Sequence, residues 1–529
     1  MKKFFALLLV VLMLVPFIMA CDDGPDTDTN STPTQNTNTD TSKPSDTNTS
    51  TGTDTDVPGE PTDKKDVDAE MTKYNGSTVN IMAAPWSNGE AGAPWSQVEL
   101  SVVNWDESGN GWGITINNGV MERKEYIENT YGVSLNWINC GGSSMLNKLT
   151  QAAMNKGQVG EEIIHIAMPH VFEAMQIVVD DAVYEMGSDY INFDAEYFSQ
   201  ESVEQYTLAG HTFFAGGDIS FLDEQTAYVL FFNNAVAEEF KGAFPNLYEA
   251  TLNGTWTIDT LYDLSGSVSE NLDGKDEYTD ADKYGLGTNQ LDCYFQYFGV
   301  YQVGKSKDSE GNEVFALTIE NDKVSQIVDK MLFATKNQDS IRTSWSGGYG
   351  ALGEAFGQNR LLFYHEVLQK VFNIDENTNY GILPFPKLST DQTRYYVPGA
   401  QQATIVCIPR ATDDRVLSEC MVEILAKTAS EYIMPAYTQA IRERLNEDYV
   451  DDAMEVIEKQ IYPNLMFDIG YMYGRFGGDG SGLVTDSIQA EAIAGNINNF
   501  ANAVLQGKTQ AEKLLGDWSY AYNVYVDEY

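Results

Sequence analysis

Short apolar runs alternate with segments of helical period along the first part of the foldable chain. Thr78–Ala83, Val133–Ile138 and Ile163–Met168 are apolar runs of strand length, while Val120–Thr130 and Ser143–Asn155 have the spacing of helices with one apolar face. Strands that alternate with helices form mainly parallel sheets with helices on both faces. The pattern therefore predicts an α/β fold, in which ligands bind beyond the carboxyl ends of the strands.

The same alternation continues to about residue 430, after which the pattern is almost wholly helical. Roughly 455 residues are available to fold, which is enough for two or three domain-sized cores. A helix is also predicted after Thr257, because threonine favours the position that caps a helix N-terminus. The further predicted strands are Tyr228–Phe232, Tyr284–Thr288, Leu361–Tyr364, Tyr380–Leu383 and Thr404–Ile408, and the further predicted helices include Leu291–Tyr301, Asp322–Thr335, Ala351–Gln358 and Asp413–Ala429.

The first 20 residues have the order of charge and hydropathy of a signal peptide. Lys2 and Lys3 precede an almost unbroken apolar run, Phe4–Ala20, and Cys21 follows that run directly. The run is shorter than the about 20 apolar residues that span a bilayer. A small residue followed by cysteine resembles the lipobox of bacterial lipoproteins, which implies a lipidated Cys21 that anchors the protein at the extracellular face of the cell membrane. An ordinary signal peptide with a chance cysteine is the alternative.

Residues 21–73 are predicted to be the anchor and a disordered spacer. Residues 22–70 are rich in Thr, Asp and Pro and contain almost no aliphatic or aromatic side chain. Such a segment cannot bury enough apolar surface to offset the conformational entropy lost on folding. The spacer would hold a folded body clear of the membrane surface.

Charge and cysteine spacing exclude several classes of function. The formal net charge is -46, which repels nucleic acid, so nucleic acid is not a predicted partner. The cysteines after Cys21 are isolated from one another, and the sequence has no His-Glu-x-x-His, P-loop or Gly-x-Ser-x-Gly motif. We therefore predict no metal site and no cofactor. Cys407 and Cys420 lie in apolar surroundings that favour buried thiols, and whether Cys140, Cys293, Cys407 and Cys420 pair stays open.

Seven motifs occur in the order and spacing found in a known family. They are Glu162–Ala167, His211–Asn234, Gly254–Asp259, Tyr284–Thr288, Leu361–Val367, Tyr380–Pro386 and Phe500–Leu514. Behind a lipobox and a tether, this series resembles the extracellular solute-binding proteins of ABC transporters, in particular the carbohydrate-binding family 1 group that includes maltose-binding protein. The resemblance covers about residues 74–520. Asp259 stands where the family has glutamate, which is a minor change. The loop 85–118 is longer than in the short members and the stretch 474–482 is also unusual, so ligand choice does not carry over from the family.

The resemblance implies a type II periplasmic-binding-protein-like fold, with two α/β lobes of mixed sheets flanked by helices. It implies a monomer without enzymatic activity, which captures a carbohydrate between the lobes and delivers it to the permease subunits of an ABC transporter. The lobes are expected to close about a hinge near Phe231–Asn233 and Leu383–Pro386. The expected lobes are residues 74–228 with 340–380, and residues 233–335 with 388–529.

Sugar recognition needs flat apolar faces for the C–H side of the ring and planar polar groups for the hydroxyls. The chain supplies both, since 12% of its residues are aromatic. Some candidates follow predicted strands, and others lie in segments that the family uses for ligand contact. The predicted ligand-binding residues are Trp86, Trp112, His170, Asp218, Asp292, Tyr294, Trp345, His365, Glu366, Tyr473 and Arg475. For each of them a structural role is the alternative; His365 and Glu366, for example, could be a buried pair at a strand end.

Two other functions stay open. The chain could bind a solute other than a neutral sugar, such as a peptide, a polyamine or an aldouronate. It could also be an extracellular glycan-degrading enzyme, which would need two carboxyl groups about 5–10 Å apart. The 78 Asp and Glu residues make such a pair expected by chance, so acid content does not favour the enzyme.

Overall fold

The computed structural model describes residues 64–83, 111–140, 145–154, 158–159, 162–240, 244–291, 293–319, 321–343, 345, 348–400, 403–474 and 500–525. The predicted signal peptide, the lipidation site Cys21 and the spacer up to residue 63 lie outside these residues. Among the helices described, none is long and apolar enough to cross a membrane.

The strands come from all parts of the described chain and most are short. They are β1 Thr78–Ala83, β2 Ser134–Asn139, β3 Gln158–Val159, β4 Glu162–Ile163, β5 Ile166–Met168, β6 Val183–Tyr184, β7 Thr207–Leu208, β8 His211–Thr212, β9 Tyr228–Asn233, β10 Tyr284–Gly287, β11 Val303–Lys307, β12 Glu313–Leu317, β13 Ile341–Arg342, β14 Leu361–Val367, β15 Tyr380–Pro384, β16 Val397–Pro398, β17 Ile408–Pro409 and β18 Leu465–Met466.

The helices surround these strands. They are α1 Val67–Met71, α2 Gly111–Tyr131, α3 Met145–Met154, α4 Ala174–Val179, α5 Gln200–Gln205, α6 Leu222–Gln225, α7 Asn234–Glu238, α8 Leu247–Leu252, α9 Ile258–Val268, α10 Tyr294–Tyr297, α11 Asn321–Lys336, α12 Gly348–Gly357, α13 Arg415–Thr428, α14 Met434–Arg442, α15 Val450–Val456, α16 Ile469–Gly474 and α17 Phe500–Asn523.

The first sheet is built around β1, which pairs in parallel with β2 on one side and with β5 on the other. Isolated antiparallel bridges extend this sheet. Ala167 in β5 pairs with Cys407, and Val406 pairs with Ala215. A segment from late in the sequence is therefore inserted, in the opposite direction, between β5 and the segment around residue 215.

The second sheet has the order β13-β10-β14-β9-β15. β10 pairs in parallel with β13 and β14, whereas β9 pairs antiparallel with both β14 and β15. The second sheet therefore has three parallel strands, then one antiparallel strand, then a fourth strand parallel to the first three. The first sheet has the same arrangement, with the segment around Val406 as its antiparallel strand and the segment around Ala215 as its last strand. This repeated arrangement confirms the predicted α/β fold, with two lobes of mixed sheets in the type II periplasmic-binding-protein-like topology.

Two segments that cross between the lobes lie side by side. Ala227, which precedes β9, forms an antiparallel bridge with Gly399, which follows β16. The amide of Ala400 also donates a hydrogen bond to the carbonyl of Thr226 at 3.0 Å. The crossing therefore lies at residues 226–227 and 399–400, where the chain passes from one sheet to the other.

The structure corrects the expected hinge. Phe231 pairs with Ile382 inside the second sheet, and Leu383 pairs with Leu230 in the same ladder. Residues Phe231–Asn233 and the start of Leu383–Pro386 are therefore held within one lobe by regular strand pairing. The sequence motif correctly located these strands, but it could not show which sheet each strand enters.

The expected lobe boundaries are corrected for the same reason. Residues 340–380 were expected in the first lobe, yet β13 and β14 flank β10 in the second sheet. Residues 388–529 were expected in the second lobe, yet Cys407 joins the first sheet and α13 packs against α1. Strand pairing between residues far apart in the sequence decides which lobe each of these segments joins. Such pairing cannot be predicted from local sequence patterns.

Continuous apolar runs became strands that are buried on both faces. Every residue of β9 and of β14 is buried, which is typical of sheets covered by helices on both sides. Trp256 packs against Phe363 of β14 with 5.8 Å between ring centroids, and its indole N–H donates to the carbonyl of Pro384 at 3.2 Å. α9 begins directly after Thr257, as predicted, but the Thr257 side chain makes no capping hydrogen bond to a backbone amide and its hydroxyl lies 3.1 Å from that of Thr260.

The helix predicted over Leu291–Tyr301 is much shorter than expected. α10 covers only Tyr294–Tyr297, and Gly299, which follows the C-cap residue Phe298, has a φ of 71° in the left-handed region. Glycine adopts this conformation without the steric cost of a side chain, so it terminates helices. The four described cysteines, Cys140, Cys293, Cys407 and Cys420, are buried and none of them forms a disulfide.

Candidate functional site

The carboxyl ends of the parallel strands define the candidate site in each lobe. In the first sheet, β1 ends at Ala83 and β5 ends at Met168, directly before His170. In the second sheet, β10 ends at Gly287 and β13 ends at Arg342. Ligands of open α/β sheets bind at this edge, because the loops there carry side chains on a rigid support.

Helix α16 contacts the carboxyl edge of both lobes. It packs against the turn Val171–Glu173, which follows β5 in the first lobe. The hydroxyl of Tyr471 in α16 lies 2.9 Å from the thiol of Cys293, in the segment that follows β10 in the second lobe. The two edges therefore meet at α16, which makes their junction the candidate binding cleft.

His170 lies at this junction, just after β5. Its backbone bridges to Thr404, in the segment that returns from the second lobe to the first. Its imidazole stacks on Phe172 with 5.4 Å between centroids and 19° between planes, and 8% of the residue is exposed. The nearby carboxylate of Glu173 accepts hydrogen bonds from the amides of Met145 and Leu146, both at 3.3 Å, at the start of α3.

His365 is buried inside the second lobe, away from solvent. Its Nδ1 lies 2.8 Å from the hydroxyl of Thr288, and its Nε2 lies 2.5 Å from the hydroxyl of Tyr297. Burial lowers the pKa of His365 to about 3, so the imidazole is neutral at physiological pH. Glu366 is also buried, and its Oε1 accepts a hydrogen bond from the amide of Val367 at 3.0 Å. This geometry favours the alternative interpretation, a buried pair at a strand end.

Tyr294 and Trp345 also pack in the core of the second lobe. The Tyr294 hydroxyl lies 3.1 Å from that of Tyr262, and its ring packs against Phe385 with 5.2 Å between centroids. Trp345 is 7% exposed and meets the ring of Tyr284 edge to face at 5.6 Å. Both side chains stabilise the sheet that supports the candidate cleft.

Asp218 lines a different cavity, beside the segments that cross between the lobes. The cavity has a volume of about 850 Å³ and contains residues of both lobes. Arg394 from the second lobe forms an ion pair with Glu201 from the first, at 2.7 Å. Burial raises the pKa of Asp218 to about 6. The carboxylates that line the cavity are Glu196, Glu201, Glu204, Asp218, Asp223 and Glu224.

Five predicted site residues have no described side chain. Trp86, Asp292 and Arg475 lie outside the described residues. Trp112 and Tyr473 belong to α2 and α16, but the structure describes only their backbone. Their contact with ligand stays a prediction, as it does for His170 and Asp218.

Sequence reasoning missed Asp468, which immediately precedes α16. The residue is 1% exposed, and its carboxylate accepts hydrogen bonds from the amide of Gly470 at 3.1 Å and the amide of Gln302 at 2.9 Å. The side-chain amide of Gln296 donates to the same carboxylate at 3.1 Å. Burial raises the pKa of Asp468 to about 6. An aspartate before an apolar helix is an N-cap signal, but its bonds to residues 296 and 302 could not be read from sequence.

Sequence comparisons find no match for this chain. No protein-family model matches it, and no curated protein sequence matches it.

Several solved structures have a similar arrangement. One is MalX from Streptococcus pneumoniae in complex with maltopentaose, with 15% identity, 83% of this chain and 99% of that chain covered, and a TM-score of 0.48. A second is the ABC substrate-binding protein Lmo0181 from Listeria monocytogenes in complex with cycloalternan, with 10% identity, 84% and 100% covered, and a TM-score of 0.49. A third is a family 1 extracellular solute-binding protein from Bifidobacterium longum subsp. infantis, with 11% identity, 85% and 100% covered, and a TM-score of 0.48. At TM-scores below 0.5, this similarity by itself assigns neither a ligand nor a family.

Proposed function

We propose that this chain is the lipid-anchored binding subunit of an ABC importer, which captures an oligosaccharide between its lobes and presents it to the permease. The observation that carries the proposal is the meeting of two carboxyl edges at α16, in a molecule whose lobes are joined by the adjacent crossing segments 226–227 and 399–400. A ligand at this junction would contact both lobes and so favour the closed form.

The anchor and the partner belong to the same proposal. The order of a basic start, an apolar run and Cys21 supports export and lipidation, and the acidic spacer supports a folded body held at a distance from the membrane. Stable anchoring needs more than one acyl chain, so the proposal implies a multiply acylated cysteine. The permease then meets the closed form at the membrane surface.

A thermal-shift screen tests the proposed ligand class. The full-length protein would be heated with neutral oligosaccharides of different linkage, and with spermidine and an aldouronic acid for comparison. A ligand at about 100 times its Kd stabilises the folded state by about 2.7 kcal/mol, which gives a clear rise in Tm. We expect this rise for at least one neutral oligosaccharide.

The same samples separate the other functions. Chromatography of each glycan after incubation shows whether any bond has been cleaved, and cleavage would replace the binding protein by an enzyme. A rise in Tm with spermidine or the aldouronic acid, and with no neutral sugar, would replace the carbohydrate by a charged solute. Radiolabelled uptake by cells that lack this chain tests the role in import, because uptake of the identified ligand should fall.

A further inference from the structure

Helix α16 contacts both lobes. Toward the first lobe it packs against the turn Val171–Glu173. Toward the second lobe it is joined by directional polar contacts, which run from Asp468 to Gln296 and Gln302 and from Tyr471 to Cys293. A buried carboxylate that loses its hydrogen-bond donors leaves polar groups unsatisfied, so the Asp468 contacts oppose separation of α16 from the second lobe.

The Asp468 carboxylate combines two functions in one buried group. Its Oδ1 accepts from the Gly470 amide and thereby caps the first turn of α16. Its Oδ2 accepts from both the Gln302 amide and the Gln296 side chain, which belong to the segment after β10. One side chain therefore fixes the start of the helix and ties it to the second lobe.

We propose that Asp468 is a positioning residue that makes α16 part of the second lobe, so that α16 moves with that lobe and separates from the turn Val171–Glu173 when the cleft opens. This inference rests on the proposed movement of the two lobes. α16 would then carry the moving surface of the candidate cleft. Its position would depend on Asp468, which lies outside the surface that would contact a ligand.

The four buried cysteines provide a test that needs no ligand. Full-length Asp468→Asn would be incubated with N-ethylmaleimide, and the labelling rate of each cysteine would be measured by peptide mass spectrometry. Cys293 reports on the α16 contact, since its thiol lies 2.9 Å from the Tyr471 hydroxyl. Cys407, which pairs with Ala167 in the first sheet, and Cys420, in the core beside that sheet, are fully buried and report on global unfolding. We expect the labelling of Cys293 to accelerate about tenfold or more, while that of Cys407 and Cys420 changes less than about twofold.

Asp282→Asn is the matched control. Asp282 is also a fully buried carboxylate, and it accepts hydrogen bonds from the amides of Leu272, Asp273 and Thr279 in a surface loop of the second lobe. Its replacement makes the same chemical change away from α16. The control should leave the ratio of Cys293 to Cys407 labelling at the wild-type value.

Hydrogen exchange shows which lobe holds the helix. In Asp468→Asn, the amides of residues 469–474 and 296–302 should lose protection together, while those of residues 171–173 keep theirs. If residues 469–474 lose protection together with 171–173 and the segment 296–302 is unchanged, α16 belongs to the first lobe and the proposal is wrong. An unchanged Cys293 rate would overturn it as well.

A variant with a smaller change covers the case in which Asp468→Asn unfolds the protein. Gln296→Leu removes one donor and keeps the charge and the cap of Asp468. If all cysteines of this variant react with N-ethylmaleimide at equally increased rates, Asp468 has no local positioning role and the proposal fails. Faster labelling of Cys293 alone supports the proposal. No step of this test uses a ligand. Selective labelling of Cys293 in a protein that binds no sugar would therefore contradict the proposed ligand class and leave the role of Asp468 in place.

Discussion

His365→Phe should destabilise the protein without weakening ligand binding. The phenyl ring fills nearly the same space, but it cannot bond the hydroxyls of Thr288 and Tyr297, which lie 2.8 and 2.5 Å from the imidazole nitrogens. Each buried hydroxyl that loses a partner costs about 1–3 kcal/mol. Thr288 keeps a hydrogen bond from the Gln290 amide, so the loss falls toward the lower half of that range for this residue. We expect the free energy of unfolding to fall by roughly 2–4 kcal/mol at pH 7.5.

The effect should depend on pH with a defined sign. The pKa of His365 is about 3 in the folded protein and 6.5 in the unfolded chain, so below pH 6.5 the unfolded state binds a proton that the folded state excludes. The wild type therefore loses stability as pH falls from 6.5 toward 3, by about 2 kcal/mol at pH 5 for this one group. His365→Phe lacks this loss, so its difference from the wild type should shrink by about 2 kcal/mol between pH 7.5 and 5.

Comparison with the variant removes the contributions of other groups. The pKa of Asp468 is raised to about 6, so the stability linked to that group is present below pH 3.8 and is lost as pH rises through 6, opposite in sign to His365. Because both proteins retain Asp468, its contribution cancels in the difference. Urea unfolding followed by tryptophan fluorescence, at pH 7.5 and pH 5, gives the two differences.

Two results would refute the reasoning. A difference in stability that stays constant with pH would mean that the imidazole titrates normally in the folded protein. Unchanged stability together with a tenfold or greater rise in the Kd of the identified ligand would mean that His365 contacts the ligand, as the sequence predicted. Tyr297→Phe is the control from the other side of the bond, and its cost should not add fully to that of His365→Phe, because the two residues share one hydrogen bond.

Three further predictions concern packing, the lobe contact and the anchor. Gly285→Ala should lower the free energy of unfolding by about 2 kcal/mol or more, because the new Cβ would lie 2.0 Å from a backbone atom of α9. As a control, Gly266→Ala in α9 places its Cβ where no atom lies within 4 Å, so it should be neutral or stabilising in the same denaturation assay. Arg394→Ala removes the partly exposed ion pair to Glu201, so we expect the free energy of unfolding to fall by about 1 kcal/mol or less. We also expect a larger radius of gyration by X-ray scattering, and an unchanged radius would mean that this pair does not hold the lobes together. Cys21→Ala should release the protein into the medium with an unchanged Kd for the identified ligand, and a weaker Kd would show that anchor and cleft are not independent.

Local sequence determined many of the elements, although α10 is shorter than predicted. The predicted strand Thr78–Ala83 is β1 without any shift, and Tyr380–Leu383 differs from β15 by one residue. Thr257 precedes α9 as predicted. These features depend on apolar runs, alternation and helix caps, which act over a few residues and are therefore visible in one sequence. The α/β class followed from their alternation.

Tertiary structure decided which elements belong together. Residues 340–380 joined the second sheet because β14 pairs with β9 and β10, over separations that no local pattern records. His365 was predicted at the ligand, but contacts with Thr288 and Tyr297 buried it, and Asp468 acquired its role only when the segment 296–302 folded beside it. The sequence by itself therefore determined the α/β elements and the chemistry available at their ends. The packing of distant segments decided which of those side chains reach the cleft, because burial and hydrogen-bond partners are properties of the assembled fold.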